Sequence, residues 1–524
     1  MNKKSKKKKA LDFVVGGWKA YREIDGFLKE RNRFNYELQR RNHEARARRK
    51  AIDYQLQLRL QEIDQRVAQP RFASFNDLLE AGLVRNPPRR VYLGVHSGEL
   101  LFYNGDSHLL TYGRTGSGKG TCVIAQNLAH IKHSIYVIDP KGENYLYSHQ
   151  HRSINLEQEI LPINPWGLHN APSVDLNPLD SHKAFINDIP RLLDKVMGST
   201  MLIVVKPVKA GSNEWVYIEA RQLLEALMLY TVTQEPDNYD LSHLWKLANA
   251  TSNQLKAIFE KMKQSSIEYL RIRGAKLLDM INLEDNAKQF DIISNTVATA
   301  LNPYKPGSVL GEATKKTTID PAILKKKPTT LYLMVPPEHL RSNASWIALV
   351  TDYMINRIAL TQGKVRTTFF LDEFANLPRM EVILKALRLY RGFNIQLWFF
   401  LQGRHSLEPT YTAAERKEIE DQAGVMQMWD VEDISLASDI EKMAGYIDVQ
   451  TVSTSYSAGT VQSGGMSSGT QKRPLLPVDM LRRLGNNKQI LRVPGCRLIL
   501  AERYPWWEFD VWRRVLVDPG MYSK

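Results

Sequence analysis

Fourteen residues, His108 to Thr121, carry the first chemistry that can be read from the chain. They run His-Leu-Leu-Thr-Tyr-Gly-Arg-Thr-Gly-Ser-Gly-Lys-Gly-Thr. An apolar run ends at Tyr112, the spacing Gly113-x-x-x-x-Gly118-Lys119 follows, and a helical pattern opens at Thr121 with Val123, Ile124, Ala125 and Leu128 on its apolar face. Strand, glycine loop, lysine and helix in that order make a phosphate-binding loop. Glycines let successive backbone N–H groups turn toward a phosphate, and the helix N-terminus adds partial positive charge. Lys119 supplies a point charge to the β- and γ-phosphates of a triphosphate. Gly113, Arg114, Thr115, Gly116, Ser117, Gly118, Lys119, Gly120 and Thr121 are therefore the predicted nucleotide-binding residues, with ATP as the expected ligand. A glycine-rich turn without a ligand is the plain alternative, and the flanking strand and helix argue against it. Gly120 stands where a Ser or Thr normally holds Mg2+, which makes the Thr121 hydroxyl the nearest substitute.

A second constellation completes the reaction. Thr367 to Glu373 is an apolar strand that ends in two acids. Asp372 is placed to hold Mg2+ through water, and Glu373 to polarise an attacking water. Some 250 residues after a phosphate loop in an α/β chain, this pattern is specific. A further buried strand, Ile395 to Leu401, ends at Gln402, which suits a γ-phosphate sensor; a satisfied buried amide is the other reading. Asp139-Pro140-Lys141-Gly142-Glu143 closes the apolar run from Ser134. A charged turn at the carboxyl end of a parallel strand faces the crevice where α/β sheets bind ligands.

These residues need a scaffold, and the chain is long enough for two to four domains. Its net charge of +15 is uneven, because residues 1–70 hold 19 Lys and Arg against 9 Asp and Glu. Residues 1–10 read as a lysine arm, and Phe27 to about Val67, free of Gly and Pro, as a long charged helix with Ile52, Leu56, Leu60, Ile63 and Val67 in a stripe. Such a basic segment suits nucleic acid or an anionic membrane face, unless it is merely a solvated arm. Two cysteines, Cys122 and Cys496, exclude a disulfide framework and lack metal-ligand spacing. No apolar run approaches the 18 or more residues of a membrane span, and the first residues are too broken for a signal peptide. A cytoplasmic chain is expected.

From Ala184 to about Leu301 the patterns are helical: Val216–Thr231, Leu241–Leu247, Leu255–Met262, Ile267–Ile281 and Phe290–Leu301. This predicts an all-α insertion without a catalytic constellation, suited to recognition or to a lid. The expected division is 1–70 for the basic extension, 71–182 for the first part of the phosphate-loop domain, 183–302 for the insertion and 303–524 for the second part. Ser453 to Thr470 reads as a flexible Ser/Gly loop. Trp506, Trp507, Phe509 and Trp512, beside Arg513 and Arg514, either stack on nucleic acid or, as favoured here, pack on the sheet edge.

With these blocks in view the chain resembles the type IV secretion coupling proteins, the TraG/VirD-type conjugative DNA-transfer ATPases. The phosphate loop with Gly118-Lys119-Gly120, Asp139 to Glu143, Asn177-Pro178-Leu179-Asp180, Leu371 to Pro378 and the segment Arg473 to Leu484 fall in family order. The resemblance covers roughly Leu101 to Arg503, and the Gly-Lys-Gly variant is one the family accepts. It implies an α/β fold: a RecA-like P-loop NTPase domain with an inserted all-α domain, here with a basic helical N-terminal extension. It also implies ATP and Mg2+ as ligands, assembly as a homo-hexamer, and transfer of DNA, single- or double-stranded, with a relaxase or effector into type IV secretion channel proteins. Ring ATPases complete their site with an arginine from the neighbouring subunit. Arg379, Arg388 and Arg391 are the candidates, and Arg391 is favoured. Most family members begin with transmembrane helices, whereas this chain opens on the basic arm. The expected place is therefore cytoplasmic and peripheral at the inner face of the plasma membrane, reached through a partner or by the arm on anionic lipid. Two other readings remain at this stage: a nucleotide-gated recruitment adaptor that pumps nothing, and a general DNA pump of the FtsK or HerA type, against which the Asn177 and Leu371 blocks argue.

Overall fold

The computed structural model describes residues 70–517, apart from 85–90, 208–210, 456–464 and 486. The predicted lysine arm and charged helix lie outside the described residues. Strands β1 (Val91–His96), β2 (Glu99–Tyr103) and β3 (His108–Tyr112) precede the phosphate loop, and β4 (Ser134–Pro140) and β5 (Glu159–Ile163) follow it. After a long helical run come β6 (Thr329–Val335), β7 (Thr367–Leu371), β8 (Ile395–Leu401) and β9 (Ala423–Met428). β10 (Tyr446–Ser455) and β11 (Gly465–Pro474) form a ribbon of their own, and β12 (Lys488–Arg492) and β13 (Ile499–Glu502) return to the main sheet.

The main sheet has the order β2-β1-β13-β12-β9-β3-β8-β7-β4-β6-β5. Every pairing from β9 to β5 is parallel, and every pairing from β2 to β9 through β12 is antiparallel. The parallel part is apolar on both faces, as strands joined by crossover helices must be. Leu110, Tyr112, Phe369, Leu371, Phe399 and Leu401 join one core cluster; Leu109, Phe370, Trp398 and Phe400 join the other, with Val123 and Leu128 of the loop helix. Thr111 of β3 is paired across both neighbours: its Oγ1 accepts from the Trp398 indole at 2.9 Å and donates to Gln427 at 2.7 Å. This is an α/β phosphate-loop sheet with an antiparallel wing, and the wing strands β9 and β12 were not foreseen in the sequence.

Helices Ile189–Ile203, Glu214–Gln234, Leu241–Ala248, Ser252–Lys263, Glu268–Asn282 and Glu284–Leu301 occupy the chain between β5 and β6. Asp188, Asp240 and Thr251 cap three of them by accepting backbone N–H bonds, which fixes where those helices begin. Helical texture continues past residue 302 with Val309–Ala313 and Ile323–Lys326. The incoming and outgoing chains are laced together: Thr318 N donates to Asp175 O at 2.9 Å, and Asn177 N donates to Thr317 Oγ1 at 3.0 Å. Asn177 Nδ2 donates onward to Tyr239 O at 2.8 Å, and its Oδ1 accepts from Leu179 N at 3.0 Å. The Asn177-to-Asp180 block is thus the neck of the helical region, and the hydrogen-bonding capacity of asparagine is what the neck uses.

Two local expectations change and one, the aromatic tail on the sheet edge, holds. The Ser/Gly tract is not a loop throughout, because β10 and β11 pair antiparallel from Tyr446↔Pro474 to Ser455↔Gly465. Alternating Val and Thr residues along Val449 to Thr454 supply strand preference there. The aromatic tail packs on the sheet edge: Trp506 and Trp512 are buried, and Trp512 meets Tyr92 edge-on at 4.7 Å. The predicted loop helix begins as a π-turn over Gly120–Ile124, with Ala125 N–H donating to Gly120 O, before the α-helix Ala125–His130. No helix among the described residues is long and apolar enough to cross a membrane.

Candidate active site

The phosphate loop leaves β3 at Tyr112, which lies in register with Leu401 of β8, and Gly113 N donates to Leu401 O at 2.9 Å. Gly116 and Gly118 adopt φ of +75° and +85°, conformations that side chains disfavour. A Cβ on Gly113 would meet the Trp429 indole nitrogen at 2.2 Å, so the loop can only lie this close to β9 with glycine there. Lys119 Nζ folds back over the loop and donates to Gly113 O at 2.7 Å and to Arg114 O at 3.2 Å. Burial lowers the pKa of Lys119, while Asp372 and Glu373 act in the opposite direction. The two acids therefore act electrostatically on the lysine, in keeping with a shared site.

The acids are held by β7, two strands from β3 with β8 between them. Burial, and then the charge of the neighbouring Glu373, push the Asp372 carboxyl up to about 6, with Lys119 acting in the opposite direction. Glu373 sits in the left-handed region at φ +54°, which costs a non-glycine residue about 1–2 kcal/mol. Its N–H donates to Asp372 Oδ1 at 3.0 Å, and its own Oε2 accepts from Asn376 Nδ2 at 3.0 Å. Strained backbone of this kind clusters at functional sites.

Mg2+ is chemically suited to this place. It takes one or two carboxylates and completes its shell with water and phosphate oxygens. Asp372 offers a hard oxygen that lacks a full counter-charge. No group of three or more His, Cys, Asp or Glu among the described residues could hold a metal without such help. The two predicted metal residues are not brought together alike. Thr121 Oγ1 donates to Gly118 O at 3.4 Å and lines a cavity shared with Asp430 and Arg503, whereas Asp372 lies on the Lys119 side.

Gln402 follows β8 and is exposed, lining a cavity of about 310 Å³ with Tyr112, Thr115 and Trp429. The buried-amide reading is thereby excluded, because the amide stands at the strand tip. Arg379 pairs with Glu415 at 2.7 Å and Glu381 at 2.9 Å, and Arg388 pairs with Glu418. Arg391 is exposed and forms no ion pair among the described residues. Arg391 lies in the turn Tyr390–Phe393 just before β8, which runs parallel to β3, so it stands at the amino end of these strands, away from the loop; burial and then its charge hold the His108 imidazole down to about 4. Asp139 does not face the crevice. It is fully buried and accepts N–H bonds from Asn144 at 3.1 Å and Tyr145 at 2.9 Å, so its work is to cap helix Glu143–Ile154.

Sequence reasoning missed a brace on the loop. Arg503, just beyond β13, donates to Ser117 O at 2.5 Å, pairs with Asp430 at 3.1 Å and lies 4.9 Å over the Trp429 ring. Trp429 Nε1 donates to Ser117 Oγ at 2.8 Å. The available signal was a strand ending in Trp429-Asp430, an acid at a strand tip like Asp372.

The sequence model of the family described as type IV secretory system conjugative DNA transfer matches residues 54–521. Over 454 residues the chain is 23% identical to protein VirD4 of Rhizobium rhizogenes, covering 81% of this chain and 63% of that protein. It is 21% identical over 484 residues to the conjugal transfer protein TraG of Escherichia coli, covering 83% of this chain and 74% of TraG. The chain thus spans less than two thirds of the length of its VirD4 relative. Among solved structures it is similar to the bacterial conjugative coupling protein TrwBdeltaN70 with sulphate, with a TM-score of 0.61 at 15% identity over 84% of this chain and 94% of that one. It is also similar to the plasmid coupling protein TrwB with ADP and Mg2+, with a TM-score of 0.59 at 14% identity over 84% and 95% of the two chains. At these identities the structural likeness is one of fold.

Proposed function

The chain belongs to the type IV secretory system conjugative DNA transfer family, and on that premise we propose that it is the family's ATP-hydrolysing coupling motor, recruiting a DNA–relaxase or effector substrate and driving it toward a secretion channel. The observation that carries this reading is the electrostatic coupling of Lys119, after β3, with Asp372 and Glu373, after β7, at the same end of the parallel sheet. The loop N–H groups of residues 113–121 bind the phosphates, and Lys119 leaves its carbonyl partners to meet the β- and γ-oxygens. Asp372 would hold Mg2+ through water, and the ion would neutralise charge on the transferring phosphoryl group. Thr121, on the opposite side of the loop, suits an inner phosphate better than the ion. Glu373 orients the attacking water and takes its proton, and Gln402 reads the γ-phosphate from the tip of β8.

An arginine finger must come from a neighbour, for which Arg391 is our choice, and this implies a closed ring of copies, a hexamer by family analogy. The helical region of residues 183–302, carried on its neck at Asn177 and free of catalytic groups, is the proposed recognition domain between the two parts of the motor, 71–182 and 303–524. Residues 1–70, with their excess of positive charge, are proposed to reach DNA or the anionic inner face of the plasma membrane.

Steady-state ATP hydrolysis with and without single- and double-stranded DNA tests this reading. DNA-stimulated turnover that disappears in Lys119→Ala supports the motor. ATP binding with turnover indifferent to DNA overturns it in favour of a recruitment adaptor.

A further inference from the structure

Between the start of the phosphate loop and the tip of β8 runs a set of buried hydrogen bonds that no step described above uses. Its hub is the buried Glu420 carboxylate, near the end of helix Ala413–Gln422. Glu420 Oε1 accepts from the Tyr112 hydroxyl at 2.7 Å and from Arg404 Nε at 2.7 Å, and its Oε2 accepts from Arg404 Nη2 at 2.9 Å. Tyr112 is the last residue before Gly113, where the phosphate loop opens, and only Gly403 separates Arg404 from Gln402. One carboxylate thus holds both the segment leading into the phosphate loop and the segment carrying the proposed γ-phosphate sensor. We propose that Arg404 is a positioning residue for ATP hydrolysis, acting through Gln402 by fixing the sensor segment against the phosphate loop. The inference rests on the motor reading and adds to it the group that places its sensor.

Strand pairing alone does not place the sensor. The β3–β8 register ends at Tyr112↔Leu401, so beyond it the chain is held by the short turn Arg404–Leu407 and by this clamp. The clamp is anchored at each joint. Arg492 Nη2 donates to Glu420 O at 2.7 Å and to Ala423 O at 2.8 Å, which fixes the backbone behind the hub to β12. The Arg404 guanidinium grips Glu420 with two nitrogens, in the forked geometry that a lysine lacks. Its third nitrogen, Nη1, donates to Ser435 Oγ at 3.0 Å and to Asp439 Oδ2 at 2.6 Å, both on helix Ile434–Ala444. Asp433 and Leu436, at the start of that helix, line the cavity of about 310 Å³ together with Gln402 and Tyr112. Arg404 therefore ties together the walls of the cavity that Gln402 lines. Misplacing a reacting or positioning group by about 1 Å can cost about a hundredfold in rate, so a clamp of this kind bears on turnover.

The test is steady-state ATP turnover by the full chain, at a temperature where thermal melts show every variant folded. Arg404→Lys keeps the charge and loses the forked grip. Tyr112→Phe keeps the ring in the core and loses one hydroxyl, so both changes spare the fold. Arg404→Lys should lower kcat about tenfold with KM for ATP unchanged, as loss of placement does. Tyr112→Phe should lower kcat several-fold, again without a change in KM. Gln402→Ala should itself lower kcat, and adding Arg404→Lys to it should lower kcat little further, because no sensor is then left to place. A clamp that serves stability alone would move the melting temperature and leave the two effects on kcat independent. Unchanged kcat in Arg404→Lys overturns the inference, as does a tenfold loss that persists in full on top of Gln402→Ala. Equal rates for the wild type and Gln402→Ala remove Gln402 from the site and the inference with it. A wild type that hydrolyses no ATP overturns the motor reading and the inference together.

Discussion

Asn376 Nδ2 donates to Glu373 Oε2 at 3.0 Å, and the acceptor belongs to a residue held at φ +54°. The amide thus fixes the side chain of the acid proposed to polarise water, while the strained backbone aims it. Asn376→Ala should free Glu373 to sample other rotamers and lower kcat about tenfold, as loss of orientation does, with KM for ATP unchanged. Asn376→Asp, which brings a like charge to the carboxylate, should be worse. Glu373→Gln should remove turnover by a factor of about 100 or more while keeping ATP binding. Single-turnover hydrolysis set beside equilibrium binding separates these effects.

The Arg503 brace predicts a stability effect at a position remote from the acids. Its side chain is 5% exposed, and Asp430 beside it is 20% exposed. Removing one partner of a buried pair costs about 3–5 kcal/mol, and the partial exposure of Asp430 reduces this to about 2 kcal/mol. Arg503→Ala should therefore lower the melting temperature and loosen the loop at Ser117. The double variant with Asp430→Asn should recover part of the loss, because no charge is then left unpaired. Thermal melts of the two single variants and the double variant form the cycle that checks it.

A pH dependence follows from Asp139. Burial pushes its carboxyl up to about 7 from an ordinary 3.8, against the two N–H bonds it accepts and the amide of Asn144. A carboxyl that is harder to ionise when folded contributes stability below about 4. That stability is lost as pH rises from about 4 to about 7, since the unfolded chain ionises first. Asp139→Asn keeps an acceptor for the helix N–H groups and removes the charge. It should melt higher than the wild type at pH 8, and the difference should shrink toward pH 5.

Much of this site could be read before the fold was known, because each part depends on local chemistry. Positive φ at Gly116 and Gly118 demands glycine, and an apolar strand ending in Asp372-Glu373 needs only its neighbours. Gln402 was identified as a strand tip by the same logic. What escaped depended on pairings far apart in sequence. Arg503 reaches Ser117 across 386 residues, and β12 enters the sheet only because β9 offers it an edge. Asp139 shows the opposite error: a charge at a strand end was expected to face the ligand crevice, yet the following helix N-terminus needed an acceptor, and the side chain is buried there. The blocks 177–180 and 371–378 were both family motifs by sequence, and the structure places the first at the neck of the helical region and the second at the carboxyl end of β7.

The last prediction concerns Arg391. It lies in the turn just before β8, which runs parallel to β3, so it stands where β3 begins, while the phosphate loop starts where β3 ends. Five residues of strand span about 17 Å, beyond the reach of an arginine side chain, so Arg391 cannot serve the loop of its own chain. If it acts, it acts on a neighbour. Lys119→Ala and Arg391→Ala should then each be inactive alone, for different reasons: the first lacks its phosphate lysine, the second lacks a finger to lend. In a randomly mixed ring, about a quarter of the interfaces pair an intact Lys119 with an intact Arg391 from the adjacent copy. Mixing the two purified variants should restore hydrolysis to about that fraction, measured as ATP turnover after exchange of subunits. Activity that stays absent on mixing, with subunit exchange shown by differently labelled copies, removes Arg391 from the site and returns the role to an arginine of another element.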